Sequence, residues 1–282
     1  DKRSGELLDI QPQPNADDAA LKWNWDSPLV ISPHSKTRLY FGSNILYRSD
    51  DRANTWKPIS GDLTRGIDRN KRQVMGRVWG VDAVWKNVFT STYGNMVSMD
   101  ESRHQEGLIY AGMDDGRINI TEDGGQDWSH IDRFPNVPDG AYVADLLASK
   151  HDVNRVYAVF NNHKEGDFKP YVYRSDNRGQ SWRSITANLP DRHITWSIQE
   201  DHVDPNLLFV ATEFGLFFSI DAGQNWVQLK GNVPVIGFRD LEIQERENDL
   251  IAASFGRGFY FLDDYSSLRR VSNELFSQEG HL

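Results

Sequence analysis

The sequence predicts an all-β protein, a β-propeller of about five four-stranded antiparallel blades. Three observations carry that expectation. An eight-residue frame, Ser/Thr-x-Asp-x-Gly-x-x-Trp, recurs four times in 282 residues, and internal repetition of this kind marks repeat architectures. Each copy is preceded by the same series of short apolar runs separated by polar turns, and is followed by Trp and a few residues ending in Ile or Leu. No apolar run approaches the ~20 residues that span a bilayer as a helix.

The copies run from Ser49 to Trp56, Thr121 to Trp128, Ser175 to Trp182 and Ser219 to Trp226. Asp51, Asp123 and Asp221 hold the acidic position, with Asn177 in its place in the third copy. Gly125, Gly179 and Gly223 hold the glycine position, where the first copy has Ala53. An Asp or Asn side chain can bond backbone N–H groups a short way on and so tighten a turn. Gly supplies a backbone conformation that a Cβ resists. The leading hydroxyl closes the same loop, and Trp opens the next strand with a large apolar surface and an N–H that needs an acceptor. This frame resembles the Asp-box, or bacterial neuraminidase (BNR) repeat, of sialidases, sortilin-type receptors and xyloglucanase-type glycosidases. The resemblance implies a β-propeller.

In chain order, residues 1–22 are a polar, Pro-containing arm or linker. Blades occupy 23–265, with a loop insertion at 60–95. The first blade runs from Trp23-Asn24-Trp25 to near Ile59. The insertion begins basic (Arg65, Arg69, Lys71, Arg72) and turns aromatic (Trp79, Trp85, Phe89, Tyr93). Blades two, three and four cover about 95–132, 142–186 and 194–229, because each holds a clasp and the apolar runs before it. Successive clasps start 72, 54 and 44 residues apart, so the longer intervals carry insertions. A fifth blade shows three strand-like runs, Leu241-Gln244, Leu250-Ser254 and Gly258-Leu262, with Asp263-Asp264 where a clasp would stand. Residues 266–282 are a polar tail. A three-stranded final blade leaves an exposed edge. Either the N-terminal arm fills it or polypeptide outside these residues completes the ring. The second is the expectation: a larger or multi-chain propeller.

Composition narrows the partners. A net charge of −10 argues against nucleic acid, which wants a basic face. The absence of cysteine excludes disulfides and thiol chemistry. The eight His are scattered without metal-ligand spacing, so neither a metal nor a cofactor is expected. Trp23-Asn24-Trp25-Asp26-Ser27-Pro28, Ser60-Gly61-Asp62-Leu63-Thr64-Arg65 and Phe255-Gly256-Arg257-Gly258-Phe259 are similar to large bacterial sortilin-like or glycosyl-hydrolase-like repeat proteins. That resemblance implies the C-terminal portion of a longer exported protein, periplasmic or at the cell surface, whose partners are other subunits or the remaining blades, with glycan as a further candidate. Asp1-Lys2-Arg3 reads as the interior of a chain, where a signal sequence would already have been left behind.

Propellers emit their second-to-third-strand turns and blade starts on one face, and the clasps on the other. Ligand or partner candidates on the first face are Arg77, Trp79, Trp85, Tyr93, Tyr142, His163, Trp196, Phe214, Arg239 and Arg257. Aromatics with Arg are the residues enriched at interaction hot spots. Asp114, Asp115 and Glu213 are the carboxylates a glycosidase would draw on, together with Asp145 and Asp240. A hydrolase needs its pair ~5–5.5 Å or ~6.5–9.5 Å apart. No spacing selects a pair, and Asp114-Asp115-Gly116 is also what a hairpin turn wants. A sialidase would further need an Arg cluster, and no motif ties Arg77, Arg239 and Arg257 together. A binding or scaffold module for protein or glycan is therefore favoured over an enzyme, with a propeller-type glycoside hydrolase as the alternative.

Overall fold

The computed structural model describes residues 3–14, 16, 18–73, 76–80, 82–83, 93–272 and 274–275. Their strands fall into five antiparallel sheets in sequential order. Blade 1 comprises β1 (Leu29–Ile31), β2 (Leu39–Gly42), β3 (Leu46–Ser49) and β4 (Lys57–Pro58). Blade 2 comprises β5 (Met96–Glu101), β6 (Ile109–Met113), β7 (Ile118–Thr121) and β8 (Ser129–Ile131). Blade 3 comprises β9 (Tyr142–Ala148), β10 (Val156–Asn162), β11 (Asp167–Ser175) and β12 (Arg183–Ser184). Blade 4 comprises β13 (Thr195–Glu200), β14 (Leu208–Thr212), β15 (Gly215–Ser219) and β16 (Val227–Gln228). Blade 5 has three strands, β17 (Phe238–Gln244), β18 (Asp249–Ser254) and β19 (Phe259–Leu262). The only helical structure among the described residues is a few short 3-10 turns. The chain is a five-bladed propeller.

Blades 2, 3 and 4 stack through both faces of their sheets, and blades 1 and 5 through one. On β10, Val156, Ala158 and Phe160 pack toward blade 2 while Tyr157 and Val159 pack toward blade 4, as the two-residue period of a strand requires. Four apolar clusters result among the described residues. They join blade 1 to 2, 2 to 3, 3 to 4 and 4 to 5.

Each clasp links the third strand of a blade to its fourth, and all four close alike. The leading hydroxyl accepts the N–H four residues on, from Ala53, Gly125, Gly179 and Gly223, at 2.8, 2.9, 2.8 and 2.9 Å. It also donates to the carboxylate or amide oxygen of Asp51, Asp123, Asn177 or Asp221 at 2.7–2.9 Å. That oxygen accepts the N–H of Thr55, Asp127, Ser181 or Asn225, four residues beyond it rather than the two expected of a minimal Asx turn. The hydroxyl occupies the nearer amide, which pushes the acidic side chain's reach to the far end of the loop.

Glycine in the clasp has a second use. At Gly125 φ is +101° and a Cβ would stand 2.3 Å from the Ile59 carbonyl oxygen of the preceding blade. The clasp thus abuts the end of its neighbour's outer strand, and the Trp indole completes the contact. Trp128 Nε1 donates to Ile59 O at 3.1 Å and Trp226 Nε1 to Ile185 O at 2.8 Å. Trp182 departs from the series. Phe134, on the blade 2–3 connection, packs edge-on against it with ring centroids 5.7 Å apart, and the buried Trp182 N–H has no partner.

Blade 5 ends in a 3-10 segment, Tyr265–Arg270, that folds back on blade 4. Arg269 donates to Asp201 at 2.7 and 2.8 Å, and the Tyr265 hydroxyl at 2.6 Å. Burial alone would raise the Asp201 carboxyl, but these donors outweigh it and hold it at about 2.

Candidate functional site

The five innermost strands surround a central cavity of about 960 Å³. Those of blades 2 to 5 each carry an irregularity near their first residues. The pairing register skips one residue between Met96 and Ser98, Thr195 and Ser197, and Phe238 and Asp240, and on β9 between Val143 and Asp145. The extra residues are Val97, Ala144, Trp196 and Arg239, and all four line the cavity. A bulge re-aims a side chain and recurs beside functional sites.

In blades 4 and 5 the bulges bring Trp196 and Arg239 together. The guanidinium carbon of Arg239 lies 3.6 Å from the Trp196 ring centroid and 4.9 Å from that of Phe255, a cation stacked between two π faces. Glu213, on the β14–β15 turn, braces the pair. Its Oε2 accepts Trp196 Nε1 at 3.0 Å and lies 3.4 Å from Arg239 Nη2. Gly237 leaves room for that carboxylate, since a Cβ there would stand 3.1 Å from Glu213 Oε1. Burial lowers Arg239 from its usual range, and its Nε is buried without a partner.

Blade 3 supplies the rest of this mouth. His163 meets Trp196 edge-on at 5.3 Å and its Nδ1 lies 2.8 Å from Asn161 Oδ1. Burial, then the neighbouring charges of Lys164 and Arg239, hold His163 below its ordinary value. Lys164 lies 5.0 Å from the Tyr142 ring centroid. Deeper in the cavity are three carboxylates. Asp100 accepts the Ala148 amide at 2.8 Å, Asp145 the Ile198 amide at 2.9 Å, and Asp240 its neighbour Leu241's amide at 2.9 Å. The first two reach from one blade to the next. Burial pushes Asp100 and Asp145 up to about 7, and Asp240 adds to the effect at Asp145. Arg103, Lys150 and Glu245 close the far mouth, with Glu245 3.4 Å from Lys150 and 2.8 Å from Arg103.

An acid whose folded-state value is raised holds its proton more tightly when folded. The stability it lends is full below the unfolded value near 4 and declines as pH rises through about 7. Asp145→Asn keeps the acceptor for Ile198 but cannot ionise. It is expected to match the wild type near pH 4.5 and exceed it at pH 8 by on the order of 1 kcal/mol, discounted for contact with cavity water. Thermal melts of both proteins across that range check this, and parallel profiles would contradict it.

The candidate residues divide. Tyr142, His163, Trp196 and Arg239 line one cavity mouth. Phe214 stands outside the lining, against His193 at 5.4 Å. Arg257 is exposed at the tip of the β18–β19 turn. Arg77 stacks on its neighbour Trp79 at 3.4 Å, and Tyr93 meets Arg72. Trp85 and Phe89 lie outside the described residues. Asp114 and Asp115 are not in the cavity lining. Asp114 accepts Gly94 N, Asn95 N and Asn95 Nδ2 at 2.8, 2.8 and 3.0 Å, while Asp115 accepts Arg65 N at 2.8 Å. Both anchor the insertion to blade 2. Phe255 shares with Arg257 the turn that the sequence assigns to the open face, and it does line the cavity; Asp100 is not among the residues the sequence offers, and no local signal could have found it. Among the described residues no group of three or more His, Asp or Glu is placed to hold a metal.

Three comparisons bear on the chain. No family model matches it, and no curated protein does. Solved structures do. An ancestral GH74 enzyme superposes with a TM-score of 0.58 at 14% identity, over 84% of this chain and 29% of that one. The GH74 xyloglucanase from Xanthomonas campestris gives 0.58 at 19%, over 83% and 36%. The β-propeller domain of Myceliophteria thermophila Cps50 (Swd1) gives 0.55 at 13%, over 86% and 67%. At these identities the likeness is one of fold, and the chain spans about a third of the length of the GH74 enzymes it matches.

Proposed function

We propose that this chain is a binding module: an Asp-box propeller of the sortilin-like repeat type, exported to a bacterial envelope as part of a larger protein or complex. It holds a glycan or a protein segment across the mouth formed by Tyr142, Trp196, Arg239 and Phe255. The observation that carries this reading is the paired bulge that stacks Arg239 between Trp196 and Phe255 at the rim of an open cavity. Stacked aromatics offer flat apolar area to a sugar ring or a side chain, and the guanidinium offers directed donors. Glu213 holds both in place before a ligand arrives.

Trp196→Ala is expected to weaken binding by ten- to a hundredfold, the range of a hot-spot truncation, with the fold retained in far-ultraviolet circular dichroism. Calorimetric titration against a panel of neutral and acidic polysaccharides, and against envelope proteins that co-purify, measures it. Unchanged affinity for every ligand found would refute the assignment of this mouth.

One observation favours a second reading, a glycoside hydrolase. Asp145 and Asp240 are raised carboxylates within the cavity, and perturbed acids in a cleft are candidates for acid–base work. Asp145 already spends an oxygen on the Ile198 amide, which suits a brace between blades. The hydrolase reading requires bound glycan to be shortened and Asp145→Asn to abolish that cleavage. The binding reading requires ligand to be recovered intact.

A further inference from the structure

We propose that the ring is open between blades 5 and 1, and that further blades of the same repeat, carried by polypeptide N-terminal to the arm, fill the opening. This deepens the larger-protein part of the reading above and does not depend on what the cavity holds. Four apolar cores join the five blades in a row, and among the described residues none joins blade 5 back to blade 1. The two faces left over have the composition of faces buried elsewhere. On β19, Phe259 and Phe261 are 69% and 62% exposed, and on β1, Leu29 and Ile31 are 47% and 65% exposed. Paired apolar faces of this kind are what the other four junctions bury, and exposed patches of linked large apolar residues mark contact surfaces.

The N-terminal arm identifies the occupant. Trp128 and Trp226 give their indole N–H to Ile59 and Ile185, the residues that follow the outer strand of the preceding blade. Trp56, in the first clasp, gives its own to the carbonyl of Ile10 at 2.7 Å. Ile10 therefore stands where the last residue of a preceding blade belongs, and the arm runs on from it to blade 1 as other inter-blade connections do. The arm does not add a fourth strand to β19, since blade 5 stays three-stranded. A second copy of this chain would bring its own Ile10 and leave this one's place already taken.

Single cysteines test the proposal, because the 282 residues contain none. Phe259→Cys and Leu29→Cys are placed separately in the native full-length protein, with Val203→Cys, 56% exposed on a blade 4 turn, as reference. Maleimide labelling at the first two is expected to be at least tenfold slower than at Val203→Cys. A short thiol–amine cross-linker at either is expected to join a strand encoded N-terminal to the arm. Labelling as fast as the reference at both sites overturns the proposal. So does cross-linking to a second copy or to a different protein. Neither readout involves ligand, so failure here and failure of the binding reading are told apart.

Discussion

Glu200→Ala is expected to destabilise the protein by about 3–5 kcal/mol, the loss that follows when a buried, multiply bonded charge is deleted and its partners are left unsatisfied. Glu200 ends β13 and is fully buried. All its partners belong to blade 3: Ser149 Oγ at 2.8 Å, the Lys150 amide at 2.6 Å and the Tyr157 hydroxyl at 2.9 Å. The residue is a clip that holds blade 4 to blade 3 by its inner edge. Glu101 repeats it between blades 2 and 1, accepting from Ser32 Oγ at 2.6 Å and the Tyr40 hydroxyl at 3.1 Å. The molecule contains its own contrast. Blade 3 has Ala148 at the corresponding place, and the Tyr110 hydroxyl that would have reached it is buried with no partner. Truncating Glu200 should reproduce at the 3–4 junction what already exists at the 2–3 junction, without the apolar packing that has adapted there. Glu200→Gln retains an acceptor and should lose less. Urea unfolding of the three proteins measures the difference, and a loss under about 1 kcal/mol for Ala would show that the clip is idle.

The clips explain why some of the molecule was legible in sequence and some was not. A clasp is closed by residues within eight positions of each other, so its hydroxyl, acid, glycine and Trp declare it locally. The strands before it announce themselves by their apolar runs, and blade 5 shows its missing strand as Asp263-Asp264 in place of a clasp. Glu101 and Glu200 each end the innermost strand of a blade. Their partners across the junctions lie 43 to 69 residues away, and a lone acid at the end of a strand gives no sign of them. The site divides in the same way. Trp196, Arg239, Tyr142 and His163 are blade-start or turn residues of the open face, which topology alone supplies. That Trp196 stacks on Arg239 depends on the bulges that displace one residue in the inner strands of blades 4 and 5. No residue pattern at Thr195-Trp196-Ser197 or Phe238-Arg239-Asp240 marks the displacement. The sequence around Asp114 and Asp115 suits either a catalytic pair or a turn. Their oxygens are taken by backbone amides of Gly94, Asn95 and Arg65, the geometry of a loop anchor.

Trp226→Ala is the second substitution expected to cost about 3–5 kcal/mol, since it empties an aromatic site in the core. Trp226 is 4% exposed and belongs to the cluster that joins blades 3 and 4. Beyond packing, its indole N–H donates to Ile185 O at 2.8 Å, and its backbone N–H and C=O both engage Asn188, at 2.7 and 3.0 Å. The packing and hydrogen-bonding contributions separate by substitution to Phe, which keeps most of the apolar contact and removes the indole donor. At Trp226 that change strands the Ile185 carbonyl and should cost a further 1–2 kcal/mol or so beyond the lost area. At Trp182 the N–H is already buried without a partner, so Trp182→Phe removes an unsatisfied group and should be nearly neutral or stabilising. Chemical denaturation of Trp226→Phe and Trp182→Phe side by side decides the point. If the two substitutions cost the same, the indole-to-carbonyl bond contributes nothing to the junction. The Trp of the clasp would then act by volume alone, and Ile10 beneath Trp56 would lose its meaning as the trace of a preceding blade.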